Sequence, residues 1–260
     1  MSLLKNYMKL IQKIAKKLRY LVFLINYKLF YSKTYNGYNS LALNKSILKK
    51  TILFSKLKST NEYDINFQRT LDFLKFIRKK KLKNIIDFGG GAGYHYFIAK
   101  MKMPDFNFKW LVVENKIMVK LCHKKLNYKN LFFFNSLNII KKTDVFFSSC
   151  AINYTKNPIK TVKAISKLNA KYLYFTRTPL AENQSLGFKQ ISLLSDNGPC
   201  KINNEKEILI ECENKIISRQ SFESIFRNKF VIIEKYIDEK KAFFYKQESF
   251  DTYTYIIKKI

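Results

Sequence analysis

Four of the seven glycines in this 260-residue chain fall within five positions, Gly89, Gly90, Gly91 and Gly93, in the stretch IIDFGGGAGYHYF. They follow Asp87 at the end of a short apolar run. Glycine in such a turn permits a tight bend and a close approach of main chain to a ligand, because a Cβ would stand in the way. A second carboxylate, Glu114, closes the run WLVVE at a separation of 114 − 91 = 23 residues from Gly91. That is near the roughly 20 residues between a glycine turn and the acid that accepts hydrogen bonds from a ribose diol. The chemistry suggested is capture of a nucleoside. Spacing removes two versions of it. No Gly-Lys-Ser/Thr triplet follows, so a Walker phosphate loop is excluded. The dinucleotide pattern G-x-G-x-x-G, started at Gly89 or Gly91, needs glycine at 94 or 96 and meets Tyr94 or Tyr96. What fits is D-x-G-x-G-x-G over Asp87, Gly89, Gly91 and Gly93. Each part has a plainer reading: any sharp strand-to-helix turn uses glycine, and Glu114 alone could serve a helix N-terminus.

Further candidates follow the later apolar runs. Asn135 and Ser136 come after LFFF, and Ser149 lies in SSCAIN, where a cofactor's far end would pass. His95, two residues beyond the last clustered glycine, could act as a base or bind an acceptor; equally it could be a helix-start side chain bonded locally. Tyr154 could line an acceptor pocket, although the chain has 17 tyrosines. Arg177, in TRTP, could hold an acidic or phosphorylated acceptor or brace a turn. Gln190 and the NGPC turn could close over a substrate. No metal site is expected. Cys122, Cys150, Cys200 and Cys212 show no C-x-x-C spacing and no histidines at ligand intervals, which suits free thiols in a reducing cytoplasm.

The elements that must carry these residues alternate. Strands are expected at 84–88, 108–113, 130–134, 144–148 and 171–176, with helices at about 93–102, 115–126 and 157–168, the pattern of a parallel sheet covered on both faces. SFESIFRN reads as a helix, and FVIIEKYI and TYTYIIKK as two late strands able to pair antiparallel. Residues 181–217 read as a long irregular insertion of the kind that forms lids. Ahead of the sheet, helices are expected at 45–58 and 63–80.

Residues 1–60 hold thirteen basic residues and no acidic one, a break that ends at Glu62 and sets off a basic helical N-terminal extension from a domain at 61–260. Leu4, Met8, Ile11, Ile14, Leu18, Val22, Ile25 and Leu29 form an apolar stripe flanked by lysines. Such a helix could lie on an anionic membrane surface or pack on the protein body or a partner chain. It lacks the small-residue cleavage site of a signal peptide, and no apolar run is long enough to span a bilayer. A cytoplasmic protein, peripheral at the inner face of a membrane, is the expectation. The whole chain carries 49 basic and 19 acidic residues, a net charge of +30, which suggests polyanions. Only six of the basic residues are arginines, however, and a lysine-, asparagine- and isoleucine-rich composition can arise from codon bias, so nucleic acid is the weaker partner.

D-x-G-x-G-x-G resembles the first motif of class I S-adenosylmethionine-dependent methyltransferases. Over residues 85–200, IIDFGGGAGYHYF, FKWLVVEN, LFFFNSL, DVFFSSCAINYTKNP, YLYFTRTPL and GPC resemble a bacterial methyltransferase family associated with surface-polysaccharide gene clusters. The resemblance implies a Rossmann-like α/β fold, mostly parallel with a late antiparallel strand, and S-adenosylmethionine as cofactor. The cofactor would be held by Asp87, Gly89, Gly90, Gly91, Gly93, Glu114, Asn135 and Ser149. Methyl transfer, at oxygen of a small molecule or glycan precursor, would then involve His95, Tyr154 and Arg177. CAINYTKNP in place of Asn/Asp-Pro-Pro-Tyr argues against methylation of nucleic-acid amino groups. The alternatives are a Rossmann-like protein that binds the cofactor without using it, and a basic RNA-binding or RNA-modifying protein.

Overall fold

The computed structural model describes residues 35–57, 65–203, 205–245 and 248–260, with Ile14, Leu18, Leu21, Val22 and Ile25 of the N-terminal segment. The rest of the stripe expected over 1–30 lies outside the described residues. A two-residue strand β1 (Tyr35–Asn36) leads to helix α1 (Leu41–Ser55), whose N-cap Ser40 accepts from Leu43 N–H. Helix α2 (Ile65–Lys79) follows. Then strands and helices alternate: β2 (Asn84–Phe88), α3 (Tyr94–Lys102), β3 (Lys109–Val113), α4 (Lys116–Lys125), β4 (Leu131–Phe134), β5 (Thr143–Ser149), α5 (Pro158–Ile165) and β6 (Ala170–Ala181).

These five strands pair in parallel in the order β4-β3-β2-β5-β6. Their near-continuous apolar texture is what burial on both faces demands. On one face Phe73 and Ile77 of α2, Phe97 and Ile98 of α3 and Met118 of α4 pack over Ile85, Trp110, Val145 and Phe147. On the other, Val162 and Ile165 of α5, with Phe222 and Phe226, cover Ile86, Leu111, Phe146 and Phe175. The two late strands, β9 (Phe230–Tyr245) and β10 (Glu248–Lys259), pair antiparallel, and β10 adds antiparallel to β6.

Two stretches differ from expectation. Residues 186–193 and 209–218 are not irregular: they form strands β7 and β8, antiparallel from Leu186↔Ile216 to Leu193↔Leu209. β8 also runs parallel to β1 and to the end of β6. Glu211, Glu213 and Lys215 alternate with the inward Ile210, Cys212 and Ile216 as a half-buried strand should, but the buried Asn214 breaks the apolar series. The connection between β7 and β8 carries a 3₁₀ turn at Leu194–Asp196. Secondly, Leu43, Leu48 and Phe54 of α1 are buried, two of them in the core beneath α2 and α3. The compositional break at Glu62 is therefore not a break in packing: Lys45 and Lys49 face outward while the apolar side of α1 faces the sheet domain.

Candidate functional site

Register gathers the candidate residues on one edge. Phe88 pairs with Val113 and with Ser148, Val113 with Phe134, and Ser149 with Thr176. The next residues, Gly89, Glu114, Asn135 and Cys150, consequently stand in a row at the carboxyl ends of four adjacent strands, where open α/β sheets bind ligands, and Arg177 continues the row within β6. The row is long. Asn135 and Arg177 are four strand spacings apart, about 19 Å, so they cannot touch the same part of one nucleoside.

The clustered glycines have different causes. A Cβ on Gly89 would lie 2.2 Å from the Ala151 Cβ, and one on Gly90 would lie 2.3 Å from the Asp87 Oδ2. A Cβ on Gly93 would meet Leu131 at 3.1 Å. These three make room for the protein itself. Gly91 is the exception: the one neighbour a Cβ would meet is Ile47 Cγ2 of α1 at 3.4 Å, and what favours glycine there is a φ of +59°, a region Gly89 and Gly93 share at +74° and +88°. Gly91 is half-buried under α1, and Gly89 is the member of the cluster that is exposed.

Glu114 stands over that residue. Its Oε1 accepts from Gly91 N–H at 3.1 Å, and its Oε2 accepts from Asn115 N–H at 2.9 Å and Asn115 Nδ2 at 3.1 Å. Three of the roughly four acceptor positions of a carboxylate are in use. Burial pushes the Glu114 carboxyl above its ordinary range and the Asp87 charge adds to this, against the pull of the two N–H bonds. Asn115 also donates to Asn44 Oδ1 of α1 at 3.1 Å, which ties the helix to the loop.

Asp87 is fully buried beneath the loop. Its Oδ2 accepts from Trp110 Nε1 at 2.9 Å and lies 3.0 Å from His95 Nδ1. The carboxylate lies under Gly90 and is held by the indole and the imidazole. A carboxylate cannot donate, so this pair favours the tautomer with hydrogen on Nδ1 and leaves His95 Nε2 as an acceptor.

Beyond β5 the site is polar. Cys150 and Arg177 have φ of +54° and +51°, strained values for non-glycine residues, and each is pinned by its own N–H, Cys150 to Thr176 O at 3.1 Å and Arg177 to Asp238 Oδ2 at 2.6 Å. Tyr154 packs edge-on against Tyr38 with ring centroids 5.2 Å apart. Its hydroxyl donates to Gln190 Oε1 at 2.9 Å, which also accepts from Asn214 Nδ2 at 2.8 Å. Burial, with the Cys150 and Tyr38 groups nearby, pushes the Tyr154 hydroxyl well above its usual range, so it stays a donor and is no base at neutral pH. Burial likewise raises the Cys150 thiol, which therefore is no ready nucleophile. Asn135 is exposed at the far end of the row, and Ser136 caps the short turn after it. Ser149 is half-buried on β5, between the glycine loop and Arg177.

Sequence reasoning missed Tyr38, Asn44, Asn115 and Ala151. Asn115 opens the helix expected at 115–126 and Asn44 directly precedes the one expected at 45–58, and nothing in their types announces these contacts. The Asn36-Gly37 pair just ahead of Tyr38 is a turn signal that the sequence offers for its segment.

No family model and no curated protein matches the chain. Among solved structures it resembles an S-adenosylmethionine-dependent methyltransferase from Clostridium acetobutylicum ATCC 824 at 15% identity and a TM-score of 0.51, covering 81% of this chain and 97% of that one. A further likeness, at 10% identity and a TM-score of 0.48, is to the N-methyltransferase NodS from Bradyrhizobium japonicum WM9 in complex with S-adenosyl-l-homocysteine, covering 84% of this chain and 98% of that one. At these identities the likeness is one of fold: the chain has the Rossmann-like methyltransferase fold.

Proposed function

We propose that this protein is a class I methyltransferase that uses S-adenosylmethionine to methylate an oxygen of a small molecule or glycan precursor. The observation that carries the reading is the pairing of the glycine loop, exposed at Gly89 and half-buried at Gly91, with the Glu114 carboxylate 3.1 Å from Gly91 N–H. The fold supports it. Gly91 would take the cofactor against its main chain. Glu114 would accept from the ribose hydroxyls once Asn115 Nδ2 yields, a side chain that keeps Asn44 as a second partner. Asn135 would lie toward the base, and Ser149 with the Cys150–Ala151 turn toward the amino-acid end. The bound cofactor supplies an electrophilic methyl group for in-line displacement, and the chain's task is positioning and proton removal.

His95, held at Nδ1 by Asp87, is the base of this reading, accepting the acceptor's hydroxyl proton at Nε2. Tyr154 donates and orients. Asp87 acts through His95 and the loop, without touching the ligand.

Calorimetry with S-adenosylhomocysteine tests the reading. Binding in the micromolar range is expected, weakened by roughly tenfold in Glu114→Ala, about the worth of one hydrogen bond to a charged group. Absence of binding at high micromolar ligand rejects it. Binding without turnover across a panel of hydroxylated acceptors would favour a non-catalytic cofactor-binding protein.

We further read the N-terminal segment as a peripheral contact with an anionic bilayer. Ile14, Leu18, Leu21, Val22 and Ile25 are helical positions, each about half exposed, in a stretch without acidic residues. No helix among the described residues is long and apolar enough to cross a membrane.

A further inference from the structure

We propose that the Arg177 guanidinium binds an anionic group, a carboxylate or a phosphate, carried by the methyl acceptor; the inference rests on the methyltransferase reading. Two of the chain's six arginines, Arg69 and Arg177, meet where the pairing of β6 with β5 ends, beside Asp238 and Glu239. The acids are already engaged. Asp238 Oδ1 pairs with Arg69 Nε at 3.1 Å, and its Oδ2 accepts from Thr176 Oγ1 at 3.0 Å and Arg177 N–H at 2.6 Å. Glu239 Oε2 pairs with Arg69 Nη2 at 3.2 Å. Arg69 therefore takes both carboxylates.

The Arg177 guanidinium has no ion pair among the described residues, and its hydrogen bond there is a long one, 3.4 Å to Asn66 Oδ1. Five N–H donors that cannot be deprotonated are held partly buried, with Cys150, Tyr154, Glu239 and Tyr38 as the groups around them. A guanidinium in such surroundings is costly unless an anion joins it. Its strained backbone, φ +51°, is fixed by the Asp238 bond. β5 separates it from the glycine loop by two strand spacings, roughly 10 Å, which puts it on the acceptor side of the cofactor. A planar fork fits carboxylate and phosphate alike.

The test is calorimetry on the protein loaded with S-adenosylhomocysteine, titrated with inorganic phosphate and, separately, with glucuronate. Saturable binding of at least one anion is expected, weakened about tenfold in Arg177→Gln, less in Arg177→Lys, and not at all in Arg227→Gln, an exposed control. The stronger of the two anions identifies the acceptor as phosphorylated or uronic. Equal anion affinity in Arg177→Gln, or no saturable binding by wild type, overturns the proposal. So does a tenfold loss of S-adenosylhomocysteine affinity in that variant, because the guanidinium would then hold the cofactor's own carboxylate. Should S-adenosylhomocysteine fail to bind wild type, the cofactor reading falls, and phosphate titration of the unloaded protein still decides whether Arg177 binds an anion. Arg177→Lys retains the charge and decides the matter if Arg177→Gln does not fold.

Discussion

Glu114 is the residue whose charge state the proposed function turns on. Its carboxyl titrates above the ordinary range because burial, reinforced by Asp87, outweighs the Gly91 and Asn115 N–H bonds. Only the ionised form can accept from both ribose hydroxyls, so cofactor binding must expel any proton it carries. Affinity for S-adenosylhomocysteine is therefore expected to fall as pH drops through this raised value, above the pH at which a free carboxylate protonates, and to level off at higher pH. In Glu114→Gln the affinity should be lower and flat over that window. A wild-type profile that stays flat down to the ordinary carboxylate range would mean Glu114 does not meet the ribose. At this scale the sequence was half legible. Spacing found Asp87 and Glu114 and put both in the first βαβ unit, because that unit has a fixed length. It could not tell that Asp87 turns inward to Trp110 and His95, since those partners lie 23 and 8 positions away and only the sheet register brings the first within reach. Nor could it tell that three of the clustered glycines yield space to Ala151, Asp87 and Leu131.

Between residue and whole stands the sandwich of the 194–208 connection, α1 and the glycine loop. Lys50 of α1, fully buried, donates to Leu194, Ser195 and Asn197 carbonyls at 3.1, 3.3 and 2.8 Å and pairs with Glu205 at 3.0 Å. Ser46, one turn earlier, donates to the other Glu205 oxygen. The connection thus grips the helix that lies over Gly91. Lys50→Met would strand the Glu205 carboxylate and three carbonyls, and a loss of about 3 kcal/mol is expected from urea denaturation, as for other buried pairs broken on one side. Lys50→Met combined with Glu205→Leu should recover part of it. A single-variant loss under about 1 kcal/mol would mean solvent reaches the cluster and the clamp is weak. The parallel strands and their helices were legible because each is a local pattern of apolar residues. The clamp was not: a lysine in a lysine-rich helix gives no sign of being the buried one, and in β8 the buried Asn214 breaks the inward apolar series.

At the scale of the whole molecule the question is what a net charge of +30 acts upon. Spread evenly, it would attract any polyanion weakly and with strong dependence on salt. It is not even: residues 1–60 hold thirteen basic residues and no acid, and the same segment exposes Leu18, Leu21 and Val22 at 56–57%. An anionic bilayer satisfies both features at once, with about 1 kcal/mol for each lysine near the surface and apolar side chains entering the headgroup boundary. Nucleic acid would satisfy only the charge. Sedimentation with vesicles containing phosphatidylglycerol is therefore expected to carry down the full chain, and neutral phosphatidylcholine vesicles to leave it in solution. Leu18→Glu with Val22→Glu should abolish most of the binding while S-adenosylhomocysteine affinity is preserved. Equal sedimentation of that variant would assign the attraction to charge alone, spread over the body, and a bilayer would then have no better claim than RNA on this surface.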